Sequence, residues 1–248
     1  MRFILLLPLL GASLAFAEVR TVNLVNPVDA LGSREILTLL KTVADVPGAS
    51  MDAGRVTIEG SVEQVARAEW LVHQIDRPAD WQPSQQEREN PATREYQGQI
   101  RLYYLANTAT PQGMQETLTI LRTVLDTQRL FNYSRLHAIV LNAPKVQLEG
   151  VEWVLRQIDV PLGGARADSG PYPYRAGPGP FDTLAVFVLP DDLKGQRAAD
   201  MVRSLRSKPI YVMKIFNRTI PPSLVVCATA AQIDQVAQAV AAARKPAQ

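Results

Sequence analysis

A segment near residue 70 of this chain recurs near residue 153, and that repetition constrains the fold more than any other feature. Gln64, Glu69, Trp70, Gln74, Ile75, Asp76 and Pro78 reappear 83 residues later as Gln147, Glu152, Trp153, Gln157, Ile158, Asp159 and Pro161, seven identities in fifteen positions. Upstream the offset is 81, pairing Arg20, Leu24, Asn26, Thr38, Leu40, Thr42 and Val43 with Arg101, Leu105, Asn107, Thr119, Leu121, Thr123 and Val124. The two-residue difference falls in a turn between the two blocks. A more divergent third copy aligns at an offset of 85 from the second, setting Ile233, Val236 and Val240 on Leu148, Val151 and Leu155. A chain built from copies is a row of small supersecondary units, each completing its core against a neighbour.

Each copy repeats one pattern of periodicities. In the second, Ile100 to Leu105 is a β-rich run, and Pro111 opens a helix with Met114, Leu118, Leu121 and Leu125 on one face. Phe131 to Tyr133 and Ala138 to Leu141 flank polar Ser134 to His137 as a short hairpin. Pro144 starts a second helix with Leu148, Val151, Val154, Leu155 and Ile158 on one side, closed by Asp159-Val160-Pro161. The expected fold is α+β: three tandem β-α-β-β-α modules, each a three-stranded sheet with both helices on one face. Their bounds are 18–78, 100–161 and 182–245. The stretches 79–99 and 162–181 lack apolar period and are expected to be flexible linkers, the second carrying five Gly and four Pro. Its Pro171-Tyr172-Pro173-Tyr174 run reads as a spacer or as a proline-rich docking peptide.

Residues 1–17 read as an export signal: Arg2, an apolar run from Phe3 to Leu10, then Ala15-Phe16-Ala17 before Glu18. Cleavage after Ala17 would leave a periplasmic or otherwise exported protein with no transmembrane segment, since the run is shorter than the roughly 20 residues a span needs.

The opening phrase Tyr103-Tyr104-Leu105-Ala106-Asn107 and the closing phrase Val154-Leu155-Arg156-Gln157-Ile158-Asp159-Val160-Pro161 resemble the short N-terminal repeat domain of bacterial secretins. The resemblance covers about three quarters of the mature chain. It implies periplasmic β-α-β-β-α modules that pack side by side in secretion and pilus channels, so the partners it implies are further copies of this chain or another secretion-system protein. The sequence departs from the family in three ways. Gly54 and His137 stand where the hairpin normally carries Asn, no amphipathic strands for an outer-membrane barrel follow, and linkers of about twenty residues separate the modules.

Chemistry has little purchase here. The two histidines, His73 and His137, and the single cysteine, Cys227, support no metal cluster, disulfide or Cys-His pair, and no cofactor is expected. Cys227 lies in an apolar run and reads as a buried strand residue. Asp168-Ser169-Gly170 matches the aspartic-protease triplet only in letters, because it lies in a linker. The module order resembles KH nucleic-acid modules, but no Gly-x-x-Gly occurs and the net charge is +2, so no nucleic acid is expected. The expected protein is therefore non-catalytic, working by protein-protein association. The alternative is an envelope module binding an anionic wall polymer or lipid through Lys194, Arg197, Arg203, Arg206 and Lys208.

Trp70 and Trp153 are the candidate interaction anchors. On a helical wheel Trp70 falls roughly 160° from the apolar cluster of its own helix. The ring either anchors a contact between modules or with a partner, or tucks beside its own core.

Overall fold

The computed structural model describes residues 18–95, 98–108, 110–161, 167–177, 179–190 and 192–244. The expected export signal and its cleavage site at Ala17 lie outside the described residues.

The first module comprises β1 (Glu18–Asn23), α1 (Ala30–Thr42), β2 (Gly48–Asp52), β3 (Arg55–Gly60) and α2 (Val62–Ile75). The second comprises β5 (Gln99–Tyr104), α4 (Pro111–Thr123), β6 (Arg129–Tyr133), β7 (Ala138–Ala143) and α5 (Lys145–Ile158). The third comprises β9 (Thr183–Val188), α6 (Gln196–Arg206), β10 (Lys214–Arg218), β11 (Ser223–Ala228) and α7 (Ala230–Arg244). Local chemistry starts several of these helices. Asp29 accepts from the Gly32 amide at 2.7 Å, Ser61 and Gln64 form a reciprocal capping box, and Thr110 caps the helix that Pro111 opens.

All strand pairs are antiparallel, and the register repeats: Glu18 faces Gly60, Gln99 faces Ala143 and Thr183 faces Ala228. The expected linkers differ from the expectation. Within 79–99 lie α3 (Gln85–Glu89) and β4 (Thr93–Glu95), and within 162–181 lies β8 (Ser169–Pro173). β4 pairs with β5 and β8 with β9, so the sheets run β1-β3-β2, β4-β5-β7-β6 and β8-β9-β11-β10. Two sheets therefore have four strands, not three. These short strands are held by backbone ladders, which need no apolar period, and so hydrophobic patterning does not reveal them.

The cores do not follow module boundaries. Ile100, Leu102 and Tyr104 of β5 join the core formed with α1 and α2, whereas Tyr103 and Leu105 join the core formed with α4 and α5. Likewise Leu184 and Val186 of β9 turn to the second module's helices, and Ala185 and Phe187 to the third module's own. The period-2 alternation of a strand thus divides its side chains between two cores, which is why these strands are apolar on both faces. At about 60 residues a module alone is marginal, and the shared cores supply the missing burial.

Candidate module-packing interface

The helix layer of one module seats on the outer sheet face of the next, and the same contacts close both junctions. Glu35 of α1, only 8% exposed, accepts from the Ser134 amide at 3.0 Å and from its hydroxyl at 2.6 Å. At the second junction Glu116 of α4 accepts from the Thr219 amide at 3.1 Å. Glu35 and Glu116 are 81 residues apart, and Ser134 and Thr219 are 85 apart, which are the repeat offsets. The ion pair from Arg129 to Asp45, at 2.9 Å, recurs as Lys214 to Asp126. Asp45 and Asp126 both hold positive φ, 59° and 55°, so each carboxylate is presented from the same left-handed turn. Tyr133 and Arg218, also equivalent, are the largest fully buried side chains. Arg218 donates to the carbonyl of Ile158 across the second junction, and burial pushes the Tyr133 phenol up to about 12.

Each junction also has its own ties. At the first, Arg135 donates to the carbonyls of Pro27 at 2.5 Å and Arg77 at 3.2 Å, and Asn142 donates to the carbonyl of Val43 at 3.1 Å. Trp81 meets Tyr104 edge-on with centroids 5.1 Å apart, and the Arg77 guanidinium lies over the Trp81 ring at 5.2 Å. At the second, the Pro-Tyr segment is a strap between modules. Tyr174 donates its hydroxyl to the Leu125 carbonyl at 2.8 Å, and its ring fills the space over Gly150, where an added Cβ would lie 2.4 Å from Cε2. Gly150 is required here by close approach.

Trp153 is half-buried and stacks on Tyr172 of β8, with centroids 5.0 Å apart and planes at 17°. Trp70 is also half-buried and packs on the core shared by the first and second modules. Gln238, at the same place in α7, is exposed. The five basic residues of the third module, Lys194, Arg197, Arg203, Arg206 and Lys208, are all exposed; Arg197 pairs with Asp192 at 2.9 Å, Arg203 with Asp200 at 2.7 Å, and Arg206 donates to the Ile215 carbonyl. His73 and His137 are exposed, whereas Cys227 is buried in β11 and its thiol is pushed up to about 11 by desolvation. Among the described residues no group of three or more His, Cys, Asp or Glu could hold a metal ion, and no helix is long and apolar enough to cross a membrane.

Sequence reasoning missed the junction acids. Glu35 and Glu116 differ from ordinary helix-surface glutamates only in recurring at the repeat offset, and that recurrence was the available signal.

Neither end of the stack repeats the junction chemistry. In the third module Met201 and Tyr211 occupy the places of the junction Glu and Asp, and Tyr211 keeps the left-handed turn at φ 57° with 54% exposure. In the first, Gly48 and Asp52 replace Arg129 and Tyr133, and the outer sheet face carries Thr21, Asn23, Ser50, Arg55, Thr57 and Glu59 with a single large apolar residue, Val19, at its β1 edge. A polar outer face on a terminal unit closes a repeat array.

No family model matches the chain, and no curated protein matches it. Among solved structures, the chain is similar to Aeromonas hydrophila ExeD, with 18% identity, coverage of 92% of this chain and 41% of that one, and a TM-score of 0.21. It is similar at 12% identity to the N-terminal domain of the secretin XcpQ from Pseudomonas aeruginosa, covering 92% of this chain and all of that one with a TM-score of 0.27. A third similar chain belongs to the ETEC pilotin-secretin AspS-GspD complex, at 12% identity, 93% and 38% coverage and a TM-score of 0.21. The chain spans about two fifths of the length of ExeD and of the matched chain in the ETEC complex.

Proposed function

We propose that this chain is an exported, non-catalytic assembly protein whose stacked modules join a secretion or pilus-type apparatus through protein-protein contact. The single observation that carries the reading is the junction made twice with equivalent residues, Glu35 with Ser134 and Glu116 with Thr219. A module whose helix layer and outer sheet face are both recognition surfaces is built for ordered packing. The secretin-like phrases at Leu105 to Asn107 and Ile158 to Pro161 supply the type of apparatus.

In this reading Trp70 and Trp153 anchor module contacts, Trp153 through Tyr172. Replacing Trp153 with Gln, the residue the third copy carries, is expected to keep the circular dichroism of folded modules while weakening the contact by more than about 1 kcal/mol. Unfolded modules would make the tryptophan a core residue and end the anchor role. For the apparatus itself, the mature protein immobilised on a biosensor should retain the N-terminal modules of a secretin from the same genome. Absence of binding to every such secretin would overturn the association.

A further inference from the structure

Among the described residues, the second and third modules each hold four strands and the first holds three. β4 lies beside β5 and β8 beside β9, both antiparallel, and β1 occupies the same sheet position as β5 and β9. Among the described residues no strand lies on the outer edge of β1. The opposite edges, at β2, β6 and β10, are alike in all three modules, so only the β1 edge departs from the pattern. Processing after Ala17 would leave no chain ahead of β1 to fold back as β4 does. An unpaired strand edge presents a row of backbone donors and acceptors to another strand.

We propose that this slot takes β1 of a second copy, antiparallel, about a two-fold axis through Val19. The junction residues are replaced at both ends of the stack, so joining copies end to end would not reproduce the junction's carboxylate contacts. Of the three equivalent edges, at β1, β5 and β9, those of β5 and β9 are covered by β4 and β8 of their own chain, and among the described residues the β1 edge is the uncovered one that each copy can offer. An isologous contact pairs residues whose numbers have a constant sum, and keeping the two helix layers on one side requires that sum to be even. An axis at Arg20 sets arginine against arginine, and one at Thr21 sets Arg20 against Val22. The axis at Val19 sets Glu18 opposite Arg20 of the second copy twice over, and brings together two Val19 side chains that are each 61% exposed. Within one chain Arg20 already lies between Glu18 at 2.6 Å and Glu69 at 3.5 Å, so the second copy's Glu18 joins a cation held in place. The resulting three-residue ladder matches the length of β4 on β5.

The proposal rests on reading the chain as an assembly protein and names one of its partners. It is tested with mature protein beginning at Glu18, by sedimentation equilibrium. A concentration-dependent dimer is expected. E18R alone and R20E alone each set like charges opposite one another twice, and each should weaken the dimer at least tenfold. Their equimolar mixture should restore a one-to-one heterodimer, because the two cations of one variant's strand then face the two carboxylates of the other's. As an independent check, V19C oxidised in air with a copper catalyst should give a disulfide-linked dimer, since directly opposed Cα atoms lie about 4.5–5.5 Å apart. A monomer at every concentration, an unchanged dimer in both single variants, or a mixture that fails to recover overturns the proposal. The same monomer retaining a secretin on the biosensor would leave the apparatus association standing, so the two failures are distinguishable.

Discussion

Asn26 and Asp76 clasp one another across the first module. The Asn26 side-chain amide donates to Asp76 Oδ1 at 3.0 Å and to the Asp76 backbone carbonyl at 3.3 Å, while the amides of Val25 and Asn26 donate to the same carboxylate. The carboxylate at the end of the second helix thereby ties down the loop that leaves the first strand. Asp159 repeats this with the amides of Ala106, Asn107 and Thr108 and the Thr108 hydroxyl. Arg244, at the same place in the third module, reverses the polarity and donates to the Val188 carbonyl and to both oxygens of Asp168.

Replacing Asp159 by Ala should therefore leave three loop amides and one hydroxyl without their acceptor. A hydrogen bond to a charged group contributes about 1.5–3 kcal/mol. Solvent reaches this loop, so the loss expected in urea unfolding is about 2 kcal/mol, larger than that for Asp76→Ala, which removes fewer contacts.

Gly150→Ala drives a methyl group into the Tyr174 ring. Overpacking of this kind costs about 1–3 kcal/mol. The double variant with Tyr174→Ala should not add its losses, because removing the ring removes the clash, and a thermal-melt mutant cycle reads that coupling.

Glu35→Ala strips the acceptor from Ser134 at the first junction, and Glu116→Ala does the same to Thr219 at the second. The first should cost more, about 2 kcal/mol against about 1 kcal/mol, because Glu35 is buried and accepts twice. Equal losses in chemical denaturation would contradict that ordering.

Alkaline pH should destabilise the stack. Burial raises Tyr104 and Tyr133 from 10 to about 12 and Cys227 from 9 to about 11. All three are neutral when protonated, and the unfolded chain loses these protons at lower pH than the folded one. Their contribution is thus fully present below about pH 9 and is lost as pH rises toward 12. Urea midpoints measured from pH 8 to pH 11 should fall, and Cys227 should resist alkylation until the protein unfolds.

The α+β class and the β-α-β-β-α order inside each repeat are legible in the amino-acid sequence alone, whereas α3, β4 and β8 are not. Repeat offsets and helix or strand period are local properties, and Asn26 with Asn107 and Asp76 with Asp159 recur at those offsets. The partner of each face was decided only by tertiary structure. Tyr103 and Tyr104 are neighbours of like type, yet one enters its own module's core and the other the preceding module's, and only the seating of α1 and α2 on the second sheet assigns them. β4 and β8 form because backbone groups find an open edge, an interaction blind to side-chain pattern. Glu35 is a surface residue by local sequence and becomes 8% exposed when the second module's hairpin turn closes over it, since burial is a property of two elements meeting and not of either one.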